Sequence, residues 1–229
     1  MEIAIGIDLG TSYSTVAAVV EGRPQVLKDE HGAEVQPSIV AFLESGGIVV
    51  GRPAREQLAV DPYNTIYSAK RLIGRRVDDP DARIAINSLP YPVVAGPNDH
   101  PIIKVRGERV SIPEVSAYVL RMMKKIAEAR LRQPVDKAVI TVPANFNDAQ
   151  RESTRIAGRI AGLDVIRIIN EPTAASLAYG YGRGLNRLVA VYDFGGGTFD
   201  FTLLEVRGLV FRVISTAGDM FLGGGDFDE

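Results

Sequence analysis

A short pattern that occurs twice constrains this chain more than any other feature. Residues 5–12 read IGIDLGTS and residues 190–198 read AVYDFGGGT. In each, an apolar strand-like run leads to an aspartate (Asp8, Asp193), one apolar residue, glycine, and then a hydroxyl residue that opens a second strand. Glycine costs a strand about 0.5 to 1 kcal/mol relative to alanine, so the three at 195–197 need a reason. Bare backbone supplies one, because an anion can reach main-chain N–H groups only where no Cβ stands in the way. Two equivalent copies imply an internal duplication, and two such hairpins face to face would clamp phosphates from both sides. Aspartates at both strand ends would hold Mg²⁺ through its retained waters. A third glycine cluster, in GDMFLGGGDFDE (218–229), precedes what reads as a helix start, itself an anion-binding arrangement. The chain contains no G-x-x-x-x-G-K-[ST], which removes the P-loop class.

Alternation predicts strands over 2–8, 14–20, 25–28 and 38–43, a β-meander. Residues 51–109 mix short helical pieces, PAREQLAV and IYSAKRLIG, with proline-rich loops such as NSLPYPVVAGPNDHP, and end in the hairpin IIKVRGERVSI. Ser111 and Glu114 form a capping box for a long helix in which Val115, Tyr118, Val119, Met122, Met123 and Ile126 share one stripe. Both methionines read as core filler. A strand at 136–142, a helix capped by Asn147 with Gln150 and closed at Gly162, and a strand at 165–169 follow. A short helix with Pro172 in its first turn and a new strand from Arg187 complete the pattern. This alternation predicts an α/β chain with a parallel layer. The second copy of the repeat stops after about three strands. The expected organisation is therefore one complete lobe over 1–185, with an inserted subdomain over about 37–112, and the truncated start of a second lobe over 186–229.

Composition narrows the partners. The 26 basic against 28 acidic side chains leave a net charge of −2, which gives no electrostatic footprint for nucleic acid or a membrane surface. Cysteine is absent, so disulfides, thiolate metal sites and cysteine nucleophiles are all excluded. His31 and His100 sit apart beside turn formers and read as solvated loop residues rather than zinc ligands. The acidic N-terminus and the lack of a long apolar run argue against a signal peptide or a membrane span, and the expected location is cytoplasmic.

Six segments, GIDLGTSYSTVA, AKRLIGRR, AVITVPANFNDAQREST, IINEPTAASLAYG, YDFGGGTFDFTLLEV and GDMFLGGGDFD, occur in an order and spacing that resembles the Hsp70 (DnaK-type) chaperones. The resemblance covers essentially the whole chain and points to the N-terminal part of their ATPase domain. It implies an actin-like ATPase fold, with two ribonuclease H-like lobes around a cleft, binding ATP or ADP with Mg²⁺ and K⁺. Gly10, Thr11, Ser12 and Tyr13 match the first phosphate loop; Gly195, Gly196, Gly197 and Thr198 match the second, and Gly224 falls in the third cluster. Asp8 and Asp193 match the acids that position Mg²⁺ through water, with Asp200 a third acid nearby. Lys70 matches the lysine that reaches the γ-phosphate and the attacking water, and Glu171 the carboxylate that orients that water. These two, with Asp193, Thr198 and Asp200, form the implied catalytic set. Pro143 and Arg151 match a switch that communicates nucleotide state to a polypeptide-binding domain, and Arg167 a contact for J-domain co-chaperones.

The implied function is the ATP-hydrolysing part of a stress-response chaperone whose parent couples hydrolysis to binding and release of unfolded polypeptides. A J-domain co-chaperone and a nucleotide exchange factor are the implied partners, and the chain alone is expected to be a weak ATPase. A filament-forming actin-like ATPase and a sugar or acetate kinase share the hairpins; AKRLIGRR and NEPTAASLAYG discriminate for the chaperone. The sequence departs from the usual pattern at Ser12 for threonine, Asn145 for tyrosine, Phe194 for leucine, and GDMFLGGGDFD for GDTHLGGEDFD, which places Gly225 where an acid is usual. Tyr13 follows the eukaryotic cytosolic form of the family.

Overall fold

The computed structural model describes residues 3–180, 183–184, 186–208 and 210–227. Glu2, expected to begin the first strand, and the end of the terminal glycine motif at 228–229 lie outside them. The strands β1 (Ala4–Leu9), β2 (Tyr13–Val20) and β3 (Arg23–Val26) form the expected antiparallel meander. On β1 the period-two alternation buries Ile5, Ile7 and Leu9 and leaves Ala4, Gly6 and Asp8 on the open face. That alternation decides where Asp8 points.

The expected strand over 38–43 is confined to residues 40–42, and a separate short strand that was not expected precedes it. β4 (Val35–Pro37) pairs with the start of β2, whereas β5 (Val40–Phe42) joins β6 (Ile48–Val50) and β7 (Thr65–Ile66) in a separate sheet with α1 (Arg52–Gln57) against it. Ser38 is the break, since its amide donates to the Ser12 carbonyl and its hydroxyl to the Gly10 carbonyl. A backbone turned toward another loop cannot also serve a ladder.

IYSAKRLIG is likewise not a helix. It divides into β7 and a 3-10 turn, Ala69–Leu72, preceded by Ser68 at φ 54. Ile66, Ala69 and Leu72 are all buried, and the three-residue repeat of a 3-10 turn brings the last two onto one face. α2 (Pro80–Ser88), capped by Asp79, follows; β8 (Val93–Ala95), from within the proline-rich stretch, pairs with β9 (Pro101–Val105), which forms the expected hairpin with β10 (Glu108–Ser111).

α3 (Ile112–Leu131) starts at the capping box of Ser111 and Glu114, and its Val115, Val119 and Met123 are buried against the core. β11 (Lys137–Val142) then pairs parallel with β1, α4 (Asp148–Ile160) is capped by Asn147 and Gln150, and β12 (Asp164–Asn170) pairs parallel with β11. The principal sheet, ordered β12-β11-β1-β2-β3 with β4 beside β2, is thus mixed, and α3 and α4 cover one face. α5 (Glu171–Gly180) leaves the end of β12 directly and touches both β11 and β12 on one side and β13 and β15 on the other. Those last strands, β13 (Asn186–Phe194), β14 (Phe199–Arg207) and β15 (Val210–Asp219), form a second antiparallel meander that repeats β1 to β3.

Candidate functional site

Each meander turns its first corner at the repeated pattern. Residues 10–12 join β1 to β2, and residues 195–198 join β13 to β14 with the Gly195 amide donating to the Thr198 carbonyl at 2.9 Å. None of Gly10, Gly195, Gly196 or Gly197 has a positive φ, so turn geometry does not demand glycine there. Close approach does. A Cβ on Gly10 would collide with the Tyr13 carbonyl, and one on Gly196 with the Ser12 side chain of the other hairpin. A Cβ on Gly197 would stand 3.0 Å from Thr11 Cγ2. Besides leaving bare backbone for an anion, Gly196 and Gly197 thus let the two hairpins pack against each other, while Gly10 lets its own hairpin close. The amides of Thr11, Ser12, Gly196 and Gly197 meet no acceptor among the described residues.

The hairpins enclose a cavity of about 170 Å³ lined by Asp8, residues 10–13, Lys70, Glu171, Asp193 and residues 195–198. Side chains from strands far apart in sequence converge there. Lys70, on the 3-10 turn and only 8% exposed, donates from Nζ to Glu171 Oε1 at 2.8 Å, and its ammonium lies 5.6 Å from the centre of the Phe146 ring. Burial pushes the Glu171 carboxyl above its ordinary value, against the opposing pull of Lys70. Asp193 is also raised, first by burial and then by the negative charge of Asp8. Asp8 itself accepts the Thr141 hydroxyl at 2.6 Å from the register position beside it on β11.

Asp200 lies opposite Asp193 across the β13–β14 ladder and does not line the cavity. It is buried, its Oδ1 has no hydrogen-bond partner among the described residues, and burial together with Asp193 pushes its carboxyl up to about 6. A carboxylate pair that repels across an oxygen-lined cavity suits a hard dication. Among the described residues no group of three or more acids, histidines or cysteines could hold a metal directly.

The remaining expected residues lie outside the cavity. Gly224 donates its amide to the Gly195 carbonyl at 3.0 Å. The expected helix start there is a 3-10 turn, Gly224–Phe227, and Asp226 caps the Gly223 amide, so these N–H groups are engaged rather than offered to an anion. Pro143 is buried just past β11; Arg151 donates to the Phe146 carbonyl at 3.0 Å and to Asn170 Oδ1 at 2.8 Å, bracing the turn after Pro143 against the residue before Glu171. Arg167 is exposed on β12 beside a bulge. Reading the sequence alone missed Phe146, Thr141 and Arg55, whose Nη1 donates to the Tyr13 hydroxyl at 3.1 Å. Only Thr141 left a signal, as the polar residue in the apolar run KAVITV.

A larger groove of about 510 Å³, between the β2–β3 end and the last turn of α3, contains neither hairpin nor any of these acids. Lys70, Glu171, Asp8 and Asp193 meet instead in the cavity between the hairpins. A family model described as Hsp70 protein matches residues 4–229, nearly the entire sequence. The hairpins, the convergent acids and the lysine at their base thus occupy the nucleotide-binding chaperone ATPase domain of actin-like fold, and the chain belongs to the Hsp70 protein family.

Proposed function

We propose that this chain binds ATP with Mg²⁺ between its two glycine hairpins, and that Lys70 and Glu171 direct water in line onto the γ-phosphate. The observation that carries this reading is the buried Lys70–Glu171 pair at the base of the cavity formed by both hairpins. The free amides of Thr11, Ser12, Gly196 and Gly197 would receive phosphate oxygens. Lys70 would offset charge that develops on the transferred group, and Glu171 would accept a hydrogen bond from the attacking water. Mg²⁺, held through water by Asp8 and Asp193, would neutralise phosphate charge; buried Asp200 is the acid best suited to a K⁺ ion nearby.

In this reading the domain works in the cytoplasm as the motor of a chaperone in which hydrolysis drives cycles of unfolded-polypeptide binding. Pro143 and Arg151 would relay nucleotide state, and Arg167 would meet a J-domain co-chaperone, with a nucleotide exchange factor resetting the cycle. Arg151 supports the relay, since it ties the Pro143 turn to the residue preceding Glu171. The test is calorimetric titration of ATP with Mg²⁺ into the chain, followed by single-turnover hydrolysis by the Lys70→Ala variant. Binding that survives with turnover reduced by about 100-fold or more supports the assignment. Unchanged turnover refutes it.

A further inference from the structure

Arg71 is the immediate neighbour of Lys70 but serves the opposite side of the second hairpin. Its Nη2 donates to the Gly197 carbonyl at 2.7 Å and to the Asp226 carboxylate oxygens at 3.0 and 2.9 Å. The guanidinium is 11% exposed and lies 5.2 Å from the centre of the Phe221 ring. Asp226 also accepts the Gly223 amide at 2.8 Å, which fixes the carboxylate to the glycine cluster.

All three hairpin carbonyls are now accounted for. Gly195 O accepts from the Gly224 amide, Gly196 O from the Gly225 amide, and Gly197 O from Arg71. In a trans peptide the C=O of one residue and the N–H of the next point in opposite directions within one plane. Engaging these carbonyls on one side therefore aims the N–H groups of Gly196, Gly197 and Thr198 to the other, where the same three residues line the cavity. Two of the three peptide planes are held by backbone alone. The third, between Gly197 and Thr198, depends on a single side chain.

We propose that Arg71, anchored by Asp226 and covered by Phe221, is a positioning residue that aims the Thr198 amide at a phosphate of the bound nucleotide. The inference rests on the nucleotide reading above and adds to it the group that orients the second hairpin. Without Arg71 the Gly197–Thr198 peptide is free to rotate, and its N–H must be ordered when the anion binds, at a cost in affinity. Lysine at this position keeps one nitrogen that can donate to Gly197 O and Asp226, as Nη2 alone does here, but loses the planar face that packs on Phe221.

The experiment compares the wild-type chain with Arg71→Ala, Arg71→Lys and Asp226→Asn. Each is titrated with ATP and Mg²⁺ by calorimetry, melted without nucleotide, and recorded in a ¹⁵N–¹H spectrum that resolves the hairpin amides. Arg71→Ala is expected to weaken ATP binding about tenfold, to shift the Gly197 and Thr198 amide signals, and to lower the melting point by a few degrees because the Gly197 carbonyl loses its donor. Arg71→Lys recovers most of the affinity, and Asp226→Asn loses about threefold. Native affinity and native amide signals in Arg71→Ala overturn the inference. Should Arg71→Ala fail to fold, native values in both Arg71→Lys and Asp226→Asn overturn it equally. A wild-type chain that binds no ATP overturns the nucleotide reading and this inference together, whereas wild-type binding with indifferent variants sinks the inference alone.

Discussion

The first hairpin is held by its own sheet and the second by borrowed parts. At the β1–β2 corner, Ser38 bonds to the Gly10 and Ser12 carbonyls, and Thr141 on the adjacent strand satisfies Asp8. At the β13–β14 corner, the Gly224 and Gly225 amides and Arg71 hold the carbonyls from behind, and Asp200 is left with an unpartnered oxygen beside Asp193. Glycine has a different reason in each place: Gly10 avoids the Tyr13 carbonyl of its own hairpin, while Gly196 avoids a side chain of the other hairpin. One local pattern is thus supported in two ways. The first copy should respond to mutation as a folding element and the second as a binding element.

The largest effect should come from Gly10→Ala. The added methyl meets a backbone carbonyl that cannot rotate away, and the expected loss is about 3 kcal/mol in denaturant unfolding. A loss confined to nucleotide affinity would break the comparison at its first half. Next comes Asp200→Asn. A carboxyl pushed up to about 6 in the fold, from an ordinary value near 3.8, binds its proton more tightly folded than unfolded. The nucleotide-free chain should therefore lose stability as pH rises from about 4 to 6 and stay penalised above that. Asp200→Asn should reduce this dependence, leaving the part due to Glu171 and Asp193, and stabilise the chain at pH 7 by on the order of 2 kcal/mol. Thermal melts across that pH range, flat for the wild type, would contradict an unsatisfied charge at the second corner.

Gly196→Ala sharpens the contrast with Gly10, because its methyl presses on a serine side chain that can shift when the hairpins part slightly. Unfolding stability should fall by about 1 kcal/mol while ATP affinity falls about tenfold, read by calorimetry. Equal losses of stability at Gly10 and Gly196 would erase the distinction. Gly195→Ala should do least, since its Cβ would sit at an ordinary 3.4 Å from the Thr198 carbonyl. A stability change beyond about 0.5 kcal/mol there would show that the turn itself needs glycine.

Much of the site was legible from residues alone. Asp8 and Asp193 announce themselves by repetition, and the two hairpins follow from strands that stop at glycine. Capping boxes at Ser111 and Asn147 placed two helices correctly, because the signal and the structure it specifies lie within one turn. Lys70 and Glu171 were legible only through family resemblance; no periodicity distinguishes them from surface residues on short helices. IYSAKRLIG misled because its apolar spacing fits an α-helix almost as well as a strand followed by a 3-10 turn, and burial of Lys70 beside Glu171 favours the latter.

By itself the sequence determined the local grammar: where strands alternate, where helices are capped, and where two stripped corners recur. These depend on neighbours within a few residues, and their energies act before the chain has collapsed. The tertiary structure decided what each corner is for. It set Ser12 against Gly196, kept Ser38 out of the strand expected to begin there, and joined Arg71 to a carbonyl 126 residues away. Such contacts arise only when separate sheets meet, and no repeating pattern along a chain encodes which backbone will arrive opposite.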